Sequence, residues 1–226
     1  MYRIATISDL QELKSRFPDY RYPQPFDYSL KQLGTLFVLS EIDRLFSGRA
    51  DILEVGAGRN TFFDRLLGTK YHYSLLDKPA HFPTEQFAKA THNRKHATQY
   101  DGYLGEYCKA IRDASFDCIF SISVLEHVPV ECIRAVCDDM YRMTRKGGHV
   151  VHSIDLLGMG RLCQIGLVFL EVLKEVGFKI DGTASIPEVL PENTLYEPLE
   201  IVEKYYFKKP VAIKEHAFSI LVSLEK

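Results

Sequence analysis

The stretch "ILEVGAGRN", from Ile52 to Asn60, sets an apolar run, a glutamate and two glycines one residue apart within nine positions. Ile52 to Val55 is short and apolar enough for a buried strand. Gly56 and Gly58 follow at once, and glycine lets the backbone approach a ligand closely and take unusual dihedrals. Asn60 is a good N-cap for a helix over "NTFFDRLLG". A strand, a glycine turn and a helix make the first crossover of a doubly wound sheet, whose ligands sit outside the carboxyl ends of the strands.

The same alternation continues on both sides. Leu30, Leu33, Phe37, Ile42 and Leu45 recur at helical spacing ahead of Gly48. Downstream, "YHYSLLD", "KHATQY", "SFDCIFSIS" and "HVVHSID" read as strands. "PTEQFAKATHN" reads as a helix, and so does "RLCQIGLVFLEVLKEVG". "VPVECIRAVCDDMYRMTRKGG" reads as a helix closed by glycine. The tail ends on two further strands, "FKIDG" and "HAFSILVSLEK". The expected fold is α/β: a doubly wound, mostly parallel seven-stranded sheet with an antiparallel last strand and helices on both faces. Residues 1–48 are expected to form a helical and irregular cap, and residues 49–226 the binding domain with an insertion at 183–213. The aromatic, proline-bearing stretch Tyr20 to Tyr28 is expected to lie over the ligand.

Composition narrows the partners. The 226 residues carry a net charge of −2, so no global basic field draws the chain to nucleic acid or to an anionic membrane. The most apolar helical stretch meets Glu171 well short of a membrane span. The five cysteines form no CxxC pair, which fits buried thiols in a reducing cytoplasm.

Three ligand classes suit a glycine loop. A P-loop needs GxxxxGK[ST], and this loop has no lysine. A dinucleotide fold wants a third glycine where Thr61 stands, which weakens an NAD(P)-dependent oxidoreductase reading. A nucleoside bearing an amino acid would use Glu54 toward an ammonium group and Asp77, at the end of the second strand, toward ribose hydroxyls.

"DILEVGAGRN", "YSLLDKP" and "SFDCIFSISVLEHVP", in this order, resemble the class I S-adenosylmethionine-dependent methyltransferases over about residues 50–157. The resemblance implies that Glu54, Gly56 and Gly58 line the methionine moiety of S-adenosylmethionine, that Asp77 holds the ribose, and that Asp101-Gly102 meets the adenine edge. Ser121 to Ser123 would border the cofactor. Methyl transfer from a sulfonium requires the nucleophile to be placed and, for a hydroxyl, its proton removed. His127, His152 and Asp155 follow or end the fourth and fifth strands and are the candidate catalytic residues, acting on a small-molecule acceptor at oxygen. "SISVLEHVP" also resembles the ubiquinone-pathway O-methyltransferases and the small-RNA ribose methyltransferases, where ExxEH helps bind a divalent metal. Ser123 stands where those carry their first acid, leaving Glu126, His127 and His152, so chemistry without a metal is expected. A silent S-adenosylmethionine-binding protein is the remaining alternative.

Overall fold

The computed structural model describes residues 1–20, 29–58, 62–78, 95–157, 161–180, 190–196 and 217–226. Its strands are β1 (Tyr2–Ile4), β2 (Asp51–Val55), β3 (His72–Asp77), β4 (Thr98–Asp101), β5 (Phe116–Ile122), β6 (Thr144–Leu157) and β7 (Ala217–Glu225). Its helices are α1 (Ile7–Arg16), α2 (Ser29–Leu45), α3 (Phe62–Leu67), α4 (Ile133–Met143) and α5 (Arg161–Val176). The strands form one seven-stranded sheet in the order β1-β7-β6-β5-β2-β3-β4. Strands β2 to β6 run parallel, and β7 is antiparallel to both β6 and β1. The chain leaves β2 toward β3 and returns to β5 on the other side, so the order reverses between β2 and β5. In doubly wound sheets the ligand crevice lies outside the carboxyl ends at such a reversal.

Period-two alternation sorts the strand residues onto two cores. Ile52, Cys118, Phe120, Val151 and Leu221 pack against α1, α2 and α3. Leu53, Ile119, Val150, Ile154 and Ile220 pack against α4 and α5. A sheet covered on both faces needs apolar residues at nearly every strand position, which is why these strands read as continuous runs. Helix α2 is buried along most of its length, with Leu30, Leu33, Leu36, Val38 and Ile42 all at 0% exposure. Gly34 makes that depth possible: a Cβ there would lie 2.7 Å from Ser153 Oγ on β6.

The structure departs from the sequence reading in several places. Helix α4 ends at Met143, not at glycine, because Thr144 turns to extended backbone and pairs with Phe116 at the start of β6. Gly147 and Gly148 fall instead at an irregularity in the β5–β6 ladder. Of "FKIDG", the described residues Phe178 to Ile180 form no strand: Lys179 makes an isolated bridge to Glu225. The edge of β7 it would have covered is held by β1, which pairs with Ile220, Leu221 and Val222. The N-terminal residues thus add a strand and a helix that went unread, α1 opening on a reciprocal cap between Thr6 and Asp9. Finally, Cys118 and Cys137 are buried as expected but Cys132 is exposed. Residues 21–28, the helix expected over "PTEQFAKATHN", and most of the 183–213 insertion lie outside the described residues.

Candidate functional site

The glycine loop is built to stand open. Gly56 and Gly58 have φ of +71° and +59°, the left-handed region where a side chain is strained. A Cβ on Gly56 would also lie 2.7 Å from the Val124 side chain, so the loop rests directly on the segment that follows β5. The Gly56 N–H donates to the Leu76 carbonyl at 3.0 Å, tying the loop to β3.

Asp77 ends β3 beside this loop. One of its carboxylate oxygens accepts the Gly58 N–H at 2.6 Å and the other the Lys78 N–H at 2.8 Å. Asp101 ends β4 in register with Asp77, so the two acids stand on neighbouring strands about 4.8 Å apart in the pairing direction. The Gly102 N–H donates to the Asp77 carbonyl at 3.2 Å. Asn60 and Thr61 lie outside the described residues.

Glu54 is 6% exposed. It faces the α1–α3 core, where the Tyr73 hydroxyl donates to its Oε2. The sequence reading missed Tyr73. The signal was there, since Tyr73 pairs with Ile52 and so shares a sheet face with Glu54 two residues on.

The histidines part company. Ser121 and His152 are register partners on β5 and β6, both at 0% exposure. Ser121 Oγ and His152 Nδ1 are 2.8 Å apart, and Nε2 has no hydrogen-bond partner among the described residues. Burial alone drives the His152 imidazole down to about 3. This ring stays neutral and sealed beneath α4 and α5, and Ser121 is turned to it instead of to the crevice. His127 is the opposite case. It closes the 3-10 turn Leu125–His127 after β5 with 71% of its side chain exposed. Partial burial, then the Lys31 charge, holds its imidazole below the ordinary value, so it is neutral at pH 7 and able to accept a proton.

Asp155 and Ser153 lie on the α2 face of β6, opposite to His152. Ser219 Oγ donates to Asp155 Oδ1 at 2.6 Å. Ser123, with φ of +52°, extends the β5–β6 ladder through its N–H to the Ser153 carbonyl at 2.8 Å. Its buried hydroxyl has no partner among the described residues. A non-glycine residue held in this region costs about 1–3 kcal/mol and marks a position fixed by its surroundings. Among the described residues no three His, Cys, Asp or Glu side chains are grouped to hold a metal ion, and His152 is on the far sheet face from Glu126 and Asp155. Nor is any described helix long and apolar enough to cross a membrane.

Known proteins share the fold of this chain. Residues 53–150 match the family described as methyltransferase domain. No curated protein sequence matches the chain. Among solved structures, a TehB-like S-adenosylmethionine-dependent methyltransferase from Corynebacterium glutamicum superposes with a TM-score of 0.53 at 16% identity, over 97% of this chain and 99% of that one. An S-adenosylmethionine-dependent methyltransferase from Mesorhizobium loti gives 0.52 at 15%, over 84% and 98%. Phosphoethanolamine N-methyltransferase 2 of Haemonchus contortus, in complex with phosphomonomethylethanolamine and S-adenosylhomocysteine, gives 0.52 at 17%, over 83% of this chain. This chain spans 52% of that worm protein. At these identities the likenesses show the fold.

Proposed function

We propose that the chain, a class I S-adenosylmethionine-dependent methyltransferase, passes a methyl group to an oxygen of a small-molecule acceptor, with His127 taking the proton. The observation that carries the reading is the cradle itself: two left-handed glycines, Gly56 tied to the Leu76 carbonyl and Gly58 to the Asp77 carboxylate, with Asp101 in register beside it. Bound S-adenosylmethionine supplies a methyl group that is already activated. The residues of the chain have the rest to do. Gly56 and Gly58 offer a backbone without side chains for the methionine moiety, next to Glu54. Asp77 and Asp101 offer carboxylates to the ribose hydroxyls and the adenine edge, and Ser123 a buried hydroxyl at the strand end.

A hydroxyl nucleophile must lose its proton as the new bond forms. Of the two candidate histidines, only His127 is exposed and neutral together, which favours it as proton acceptor over His152. Asp155 is proposed to act on the acceptor side. A second reading, an amine acceptor, is favoured by the acidic pair described in the next subsection.

Titration calorimetry tests the reading. S-adenosylhomocysteine should bind and NAD should not; binding of NAD without a response to S-adenosylhomocysteine overturns it. Asp77→Ala should weaken S-adenosylhomocysteine by roughly 1.5–3 kcal/mol through the lost charge-assisted contact. Once an acceptor is in hand, His127→Ala should lower kcat by roughly 10²–10⁴-fold, the usual contribution of a general base. S-adenosylhomocysteine affinity should not change in that variant.

A further inference from the structure

The turn after β5 holds a carboxyl group that the methyl-transfer geometry leaves idle. Only 10% of the Glu126 side chain is exposed, and both its carboxyl oxygens are buried without a hydrogen-bond partner among the described residues. Asp155 approaches it from β6, itself 2% exposed. Desolvation raises the Glu126 carboxyl well above its ordinary value, and the Asp155 charge raises it further. The Lys31 ammonium on α2 and the backbone of Glu126 and Asp155 pull the other way without outweighing them. Lys31 does not hydrogen-bond to Glu126, and His127 Nε2 stands 4.0 Å from Glu126 Oε1 with its ring turned to solvent.

A buried acid whose oxygens accept no hydrogen bond is costly, and a second acid beside it makes it more so. A cation that brings its own hydrogen-bond donors would satisfy Glu126 and offset the repulsion from Asp155. The position of the pair says where such a cation would come from. Glu126 is two residues past Val124, the side chain on which Gly56 rests, so the pair borders the donor cradle. Around it Ser123 Oγ and Ser153 Oγ are also buried and unpartnered among the described residues, giving further oxygens at the same strand ends.

We propose that Glu126 and Asp155 form the subsite for an ammonium group of the methyl acceptor, so that the acceptor is a small amine-bearing molecule. The inference rests on the methyl-transfer reading of the crevice and adds the charge of the substrate to it. An ammonium group has three N–H donors on one centre, enough to serve both carboxyls and one serine hydroxyl. Its arrival favours the ionised form of Glu126, and the proton that Glu126 gives up leaves to solvent.

The test uses the intact chain saturated with S-adenosylhomocysteine, with ethanolamine as probe and ethylene glycol as its uncharged counterpart. Calorimetry at pH 7 in buffers of different ionisation heat counts the protons. Ethanolamine should bind at least about tenfold more tightly than ethylene glycol, with proton release. Glu126→Gln should remove that preference and the proton release while S-adenosylhomocysteine binds as before, which also shows that the variant is folded. Asp155→Asn should shift ethanolamine affinity in the same direction. Equal binding of the two probes overturns the inference. So does a Glu126→Gln variant that keeps ethanolamine affinity, or one that loses S-adenosylhomocysteine, since the pair would then belong to the donor. Failure of S-adenosylhomocysteine to bind the unaltered chain overturns the methyl-transfer reading itself, whereas normal donor-product binding without amine preference overturns only this inference.

Discussion

Two buried titratable side chains, His152 and Glu126, shift in opposite directions on folding, and the pH dependence of stability should reveal both. His152 falls from an ordinary 6.5 to about 3 on burial. Between those values the unfolded chain binds a proton that the folded chain refuses, so its contribution is complete above pH 6.5 and is lost as pH falls toward 3. Glu126 is raised above its ordinary 4.5. The folded chain holds that proton longer than the unfolded one, so its contribution is complete below pH 4.5 and is lost as pH rises. Denaturant unfolding of single variants separates the two. His152→Gln, which keeps a hydrogen-bonding partner for Ser121, should lose less stability than the unaltered chain between pH 7 and pH 4.5. Glu126→Gln should match the unaltered chain near pH 4 and exceed it at pH 8. A variant with an unchanged pH profile would mean that its residue is not titrating as its burial requires.

Secondary elements are joined by single polar residues at their ends. Asp64 in α3 is 1% exposed and accepts three successive backbone N–H groups, from Lys95, His96 and Ala97, at 3.0, 3.1 and 2.8 Å. Those residues lead into β4, so one carboxylate sets where β4 begins and with it the height of Asp101. Removing the acceptor leaves three donors unpaired, and a bond to a charged group is worth roughly 1.5–3 kcal/mol. Asp64→Ala should therefore destabilise the chain by at least about 3 kcal/mol in chemical unfolding, against the ordinary ~1 kcal/mol of a point substitution. It should also weaken S-adenosylhomocysteine, because Asp101 loses its support. Glu41 plays a similar part on α2, accepting from Ser223 Oγ of β7 at 2.7 Å and pairing with Arg44.

Across the whole molecule the N-terminal segment closes the sheet. Strand β1 covers Ile220 to Val222 of β7, and the Ala5 N–H donates to the Ser219 carbonyl while its carbonyl accepts from the Leu195 N–H, both at 2.9 Å. An uncovered edge strand is a template for pairing with another chain. Deleting residues 1–5 should lower stability by roughly 2–4 kcal/mol, at about 1 kcal/mol per backbone bond lost. It should also give concentration-dependent self-association in size-exclusion chromatography. A truncated chain that stays monomeric with an unshifted melting temperature would show that β1 adds nothing to the sheet.

The residues themselves determined the α/β architecture and the glycine loop proposed as the donor cradle. Strand runs such as Asp51–Val55 and Phe116–Ile122 carry their apolar character locally, and Gly56, Gly58 and Asp77 are spaced by the short connections of one crossover unit. Such features depend on neighbours in the chain, so they can be read along it. Strand β1 could not be read in this way: three residues are too few to show a period, and only the vacant edge of β7, more than two hundred residues away, makes Tyr2–Ile4 a strand. The described part of "FKIDG" shows the same dependence in reverse: it has the pattern of a strand, but β1 pairs with Ile220 to Val222 of β7 and Lys179 keeps only a bridge to Glu225. The catalytic candidates divided on burial, a property of the packed molecule. His127 and His152 are the same residue type, one just after β5 and one within the adjacent β6, yet the first projects from a turn and the second is fully buried on the α4–α5 face. Tertiary packing alone also brought Glu126, in the turn after β5, near Asp155 of β6 and withheld water from both, and the proposed ammonium subsite rests on that.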